Sequence, residues 1–154
     1  MRQLQLIAHG EPSDVIELNT VSEPTLGQEE VLISMEAAPM NPSDFLFVRG
    51  IYGIRPAFPS SVGAEGVGRV AKIGSKVDVA LRGKRVLILP TYEQGSWADQ
   101  VVVPVRNIVP MSDQADPLRG HGAVHHCTRE ACRSQNAECR PAGRICRTGA
   151  AVGR

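Results

Sequence analysis

Aromatic side chains are scarce in this chain, six in 154 residues, and none follows Trp97. Cysteine is absent before Cys127, and no run of about twenty apolar residues occurs that would serve as a membrane-spanning helix. The start, Met1-Arg2-Gln3-Leu4-Gln5-Leu6-Ile7, alternates like a strand rather than a targeting segment. These absences lead us to expect a cytoplasmic protein with no membrane partner. The length suits one well-buried domain and is short for two.

A dominant charge is also missing, since the formal total is only +1. The total hides two segments of opposite sign. Residues 1–118 carry ten Lys plus Arg against fourteen Asp plus Glu, a net of −4, whereas residues 119–154 carry seven Arg against two Glu, a net of +5. All six aromatics, Phe45, Phe47, Tyr52, Phe58, Tyr92 and Trp97, precede the change, and all four cysteines, Cys127, Cys132, Cys139 and Cys146, follow it. We therefore expect a folded domain over 1–118 and an atypical Arg/Cys/His-rich segment over 119–154 with little to bury.

That second segment shows neither helical nor strand periodicity, and Pro141-Ala142-Gly143 interrupts it. Two readings stay open: an out-of-frame translation of GC-rich coding DNA, or a native, divergent tail. His125, His126, Cys127 and Cys132 are potential metal ligands, but no Cys-x-x-Cys pair accompanies them, so scattered thiols are the favoured reading. The arginines raise nucleic-acid binding as a rival function. No aromatic is interleaved with Arg129, Arg133, Arg140, Arg144 and Arg147 to stack bases, and the expectation is no nucleic-acid partner.

The first 118 residues read as short strands between turn residues, which points to a compact, mainly β barrel with a small helical contribution. The expected strands are Gln3–Ile7, Val31–Ala37, Gly66–Ile73, Arg85–Leu89, Asp99–Val103 and Asn107–Val109. Val31–Ala37 alternates like a half-buried strand, and Arg85–Leu89 is continuously apolar like a central one. Ser43-Asp44 before Phe45-Leu46-Phe47-Val48-Arg49-Gly50 predicts a short helix with a polar start and a glycine stop.

Asn41-Pro42-Ser43-Asp44 is followed by Gly50-x-Tyr52-Gly53-x-x-Pro56, Gly63-x-Glu65-Gly66-Val67-Gly68, Gly74-Ser75-x-Val77, Gly83-x-x-Val86 and Gly95-Ser96-Trp97. In this order and spacing the motifs resemble the amino-terminal domain of the medium-chain dehydrogenase/reductase superfamily. Within it the chain is most similar to the zinc-free trans-2-enoyl-thioester reductases, with the quinone oxidoreductases next. The resemblance covers about residues 1–118 and implies a chaperonin-10 (GroES)-like, partly open β-barrel. It also implies NADPH as cofactor and a small-molecule enoyl thioester or quinone as substrate.

Zinc-dependent members of that superfamily hold the metal with a Cys and a His in this domain, and at those positions this chain has Asn41 and Ala64. A carboxamide and a methyl do not replace thiolate and imidazole, so no metal is expected here. Tyr52 matches the tyrosine that serves the enoyl-thioester reductases as proton donor. A tyrosine ordinarily titrates near about 10, so it carries its proton at neutral pH and needs no perturbation to act as an acid. A loop aromatic that only anchors the chain is the alternative reading. Asn41 and Trp97 are the candidates for contact with substrate, although Asn41 also reads as a loop-shaping residue and Trp97 as a core or cleft-wall aromatic. Glu65 is expected to pair with a cation or a backbone amide.

Gly63-Ala64-Glu65-Gly66-Val67-Gly68 resembles a phosphate loop only superficially, because a strand-like run follows where a helix should start. Its glycines are expected to allow close packing. The nucleotide-binding domain of the superfamily is not found in the sequence, which predicts an incomplete reductase, inactive by itself. The alternatives carried forward are an NADPH:quinone oxidoreductase fragment and a non-enzymatic, truncated barrel with a basic, nucleic-acid-binding tail.

Overall fold

The computed structural model describes residues 1–114 and 116. The expected second segment, 119–154, lies outside the described residues, and with it the four cysteines and the histidines that were weighed as metal ligands.

Ten short elements follow one another. They are β1 Arg2–Leu6, α1 Pro12–Val15, β2 Ile16–Thr20, β3 Glu30–Ala37, α2 Pro42–Val48, β4 Ser60–Ser61, β5 Gly66–Ile73, β6 Arg85–Ile88, β7 Gln100–Pro104 and β8 Ile108–Pro110, with single 3-10 turns at Val79–Leu81 and Val105–Asn107. The strands form two antiparallel sheets, one ordered β2-β1-β4 and the other β7-β3-β5-β6-β8. An isolated bridge between Gln3 and Ala98 ties the small sheet to the chain entering β7. The sheets do not close on one another, which is the partly open, mainly β architecture that the resemblance implies.

Each sheet has its own core. Val31 and Ile33 of β3, Val70 of β5, Val86 and Ile88 of β6, Val101 and Val103 of β7 and Ile108 of β8 pack as one buried cluster on the large sheet. β-branched side chains dominate it, as suits a pleated surface. Leu6 of β1, Val15 of α1, Phe47 and Val48 of α2, and Val62 form the second cluster, and Tyr92 and Trp97 pack against its edge. At about 25 cal/mol per Å² of apolar surface, each such buried side chain contributes roughly 1.5–3 kcal/mol. The second cluster is what fixes α2 on the small sheet.

Two sequence readings need correction. The alternation expected along Val31–Ala37 fails at its start, where Val31, Leu32 and Ile33 are all buried. Val31 and Ile33 pack into the core of the large sheet, and Leu32, which points to the opposite face of the same strand, is buried as well, so the opening residues are covered on both faces rather than one. The β2 strand was not anticipated: Leu18 is largely exposed, and register with β1 over Arg2–Leu6, rather than burial, holds the segment. Arg85–Ile88, in contrast, is interior as expected, laddered on both sides by β5 and β8.

On the surface of the large sheet, Glu36 accepts from Arg69 at 3.0 Å and from Arg85 at 2.7 Å, and Arg69 also reaches Asp113 at 3.0 Å. This small network links β3, β5 and β6 to the segment after β8. Close packing of β5 on β3 depends on glycine: a Cβ at Gly68 would run into the Ser34 carbonyl.

Candidate active site around Tyr52

Helix α2 organises the site from both ends. Pro42 occupies its first turn, where a missing N–H costs nothing, and Asn41 caps it in extended geometry. The Asn41 N–H donates to Asp44 Oδ2 at 2.7 Å, and the Asp44 N–H returns to the Asn41 carbonyl at 3.0 Å. At the other end Gly50 adopts φ 73°, the left-handed conformation that closes helices cheaply only with glycine. Its N–H donates to the Phe47 carbonyl at 3.0 Å, while the Ile51 N–H reaches the Leu46 carbonyl at 3.0 Å, the paired pattern of a Schellman stop.

That stop delivers Tyr52 to the surface two residues later. The Tyr52 N–H also donates to the Leu46 carbonyl, at 3.2 Å, so the loop backbone is tied to the helix right up to the candidate residue. The side chain is 36% exposed. Its ring lies tilted against Tyr92, centroids 5.1 Å apart at 57°, and Tyr92 in turn stacks on the buried Phe47 at 4.6 Å and 17°. Ile51, Ile54 and Phe58 of the same loop are exposed as well.

Beneath the aromatics lies a buried polar knot. Asp44 is fully buried, and besides the Asn41 N–H it accepts from the Ala64 N–H and, at 3.2 Å, from the Tyr92 hydroxyl. Burial pushes its carboxyl above the usual carboxylate range, and the three donors act in the opposite direction without cancelling it. The Tyr92 phenol is pushed up to about 12, first by burial and then by the negative charge of Asp44, although a hydrogen bond from Ser43 works the other way. Its proton therefore stays in place across the neutral range.

Glu65, 1% exposed, accepts from the Asn41 side-chain amide at 2.6 Å through Oε1, while its Oε2 has no hydrogen-bond partner. The expectation of a cation or backbone amide for Glu65 is thus corrected. The partner is the carboxamide that stands where zinc enzymes carry a cysteine. Trp97 donates its indole N–H to the Pro39 carbonyl at 3.0 Å and packs on the α2 cluster, bracing the segment that leads into Asn41. Gly63, at φ 94°, faces that indole, and a Cβ there would stand 2.5 Å from the ring.

Of the three residues singled out from sequence, Asn41 caps the start of α2, Tyr52 follows its other end, and Trp97 braces the segment before Asn41; none of the described contacts sets one against another. Sequence reading missed the part played by Tyr92. It occurs in a turn-rich stretch with no periodicity, and only the fold brings it beside residue 52. Among the described residues no group of three or more His, Cys, Asp or Glu side chains is placed to hold a metal ion. The glycine-rich run 63–68 passes directly into strand β5, so no helix N-terminus faces it and it does not fit the pyrophosphate of a dinucleotide.

Comparison with known proteins agrees with this geometry. Residues 27–113 match the alcohol dehydrogenase GroES-like domain. The chain therefore belongs to the GroES-like domain family of the medium-chain dehydrogenase/reductase superfamily. It is 34% identical over 122 residues to the mitochondrial enoyl-acyl-carrier-protein reductase of Bos taurus, covering 78% of this chain and 32% of the relative. The corresponding protein of Xenopus tropicalis is 33% identical over 139 residues, 89% of this chain and 39% of the relative. Among solved structures, a candidate NADPH:quinone reductase from Bacillus thuringiensis superposes with a TM-score of 0.70 at 34% identity, over 76% of this chain and 35% of that one. The chain spans about a third of the length of these relatives.

Proposed function

We propose that residues 1–118 form the substrate-side domain of an NADPH-dependent reductase acting on a carbon–carbon double bond conjugated to a carbonyl. An enoyl thioester is the favoured substrate and Tyr52 its proton donor. The observation that carries this reading is the placement of Tyr52: a phenol that follows a Schellman stop, packs on a second aromatic, and is open to solvent on a loop that also exposes Ile51, Ile54 and Phe58. Reducing an enoyl thioester at Cβ leaves negative charge on the enolate. A neutral phenol beside it stabilises that charge and gives its proton to Cα, then regains one from solvent. The exposed Ile51, Ile54 and Phe58 suit an acyl chain better than a highly polar substrate.

Asn41 and Trp97 belong to this reading as the residues that shape the substrate side of the cleft. Asn41 gives one amide N–H to Glu65 and Trp97 gives its indole N–H to Pro39, so any contact with substrate uses the second Asn41 amide N–H or the indole face. NADPH is the cofactor carried in the name of the Bacillus thuringiensis structural relative. The described residues have no phosphate turn for it, so no hydride step is assigned to them. By themselves they should leave NADPH fluorescence unchanged.

Quinone reduction is the second reading, favoured by the same structural likeness. A direct test joins this domain to the remainder of the Bos taurus reductase and follows NADPH oxidation with crotonyl thioester and with a benzoquinone. Turnover of the thioester well above that of the quinone is the expected result. The reverse preference would move the chain to the quinone branch.

A further inference from the structure

Tyr92 has no role in the sequence motifs, yet its ring contacts both Phe47 and Tyr52 and its hydroxyl donates to Asp44. We propose that Tyr92 is the positioning residue for Tyr52, a braced aromatic platform that holds the phenol at the angle its chemistry needs; this rests on the reading of Tyr52 as the proton donor.

Three contacts from three directions fix the platform. Its ring stacks nearly parallel on Phe47, which is fully buried in α2. Its hydroxyl donates to Asp44, itself fully buried and held by the N–H groups of Asn41 and Ala64. Its backbone follows Thr91, whose N–H donates to the Ala64 carbonyl at 3.0 Å, so the chain on which Tyr92 stands is pinned to the segment that also holds Asp44. Tyr52 by contrast has its backbone tied to α2 but its side chain 36% exposed, and Tyr92 is its one described ring partner. A side chain with free rotation would spend much of its time pointing away from substrate, and locking one rotamer is a recognised source of rate. Because the Tyr92 hydroxyl is engaged by Asp44, its role toward Tyr52 is steric, through the ring.

Only two tyrosines occur in the chain, so 13C-labelled tyrosine gives two ring signals that are assigned with one variant. In the full 154-residue chain, nuclear Overhauser contacts between the Tyr52 and Tyr92 rings are expected, and Tyr92→Leu should shift the Tyr52 signal while Tyr92→Phe largely preserves it. Absence of the inter-ring contacts in the unaltered protein overturns the proposal, and this holds even if Tyr92→Leu fails to fold. In the joined reductase, Tyr92→Leu should lower kcat about tenfold with little change in KM, Tyr92→Phe should restore most of it, and no further loss should appear on a Tyr52→Phe background. Equal losses for Leu and Phe, or additive loss with Tyr52→Phe, contradict the positioning role. If Tyr52→Phe alone leaves thioester turnover intact, the acid assignment falls while the ring contact stands, so the two failures are distinct.

Discussion

Buried polar groups decide the chemistry available to single residues here. Glu65 has one oxygen paired to the Asn41 amide and the other unpartnered, so Asn41→Ala would strip a buried carboxyl of its one described side-chain donor. The expected cost is about 1–3 kcal/mol, read as a lowered urea midpoint. An unchanged midpoint would mean that solvent already serves the site. Tyr92 supplies a pH test. Its phenol is raised to about 12, whereas an unfolded tyrosine ionises near 10, so the unfolded chain loses its proton first. The stabilising contribution is fully present below about 10 and is lost as pH rises toward about 12. Allowing for solvent screening of a partly exposed group, Tyr92→Phe should flatten the alkaline loss of stability by about 1 kcal/mol across that window. A curve as steep as before would show that Tyr92 ionises normally.

At the scale of elements, α2 and the two turns that bound it are what make a site out of the motifs. Gly50 combines a positive φ with a neighbour that leaves no room, since a Cβ there would lie 2.7 Å from the His9 ring. Gly50→Ala should therefore lower stability by about 1–2 kcal/mol and displace the Tyr52 loop, measurable as a lower melting temperature. An unaltered melting temperature would remove the Schellman stop from the account. The same elements show what was legible beforehand. The helix over residues 43–50 and six of the eight described strands could be read because local chemistry announces them: Ser43 and Asp44 at the polar start, Gly50 at the stop, and β-branched residues in β5 and β6. β2 and β4 could not, because one is an edge strand with exposed Leu18 and the other is a two-residue pairing of Ser60 and Ser61 with β1. The Tyr92–Asp44 bond joins residues 48 positions apart and leaves no local trace in the sequence. Tyr52 was readable because a motif surrounds it, and its platform was not because none does.

For the whole molecule, the two sheets define a GroES-like fold that, in its described residues, has no dinucleotide turn. The family match over residues 27–113 and the likeness to enoyl-acyl-carrier-protein reductases over about a third of their length place the chain in the GroES-like domain family. Among the described residues no helix is long and apolar enough to cross a membrane. The account stands or falls on Tyr52 as acid. The decisive measurement is crotonyl-thioester reduction by this domain joined to the remainder of its Bos taurus relative, comparing Tyr52 with Tyr52→Phe. The account predicts a fall in kcat of about 10²-fold or more with KM little changed; equal turnover in the two proteins would contradict it.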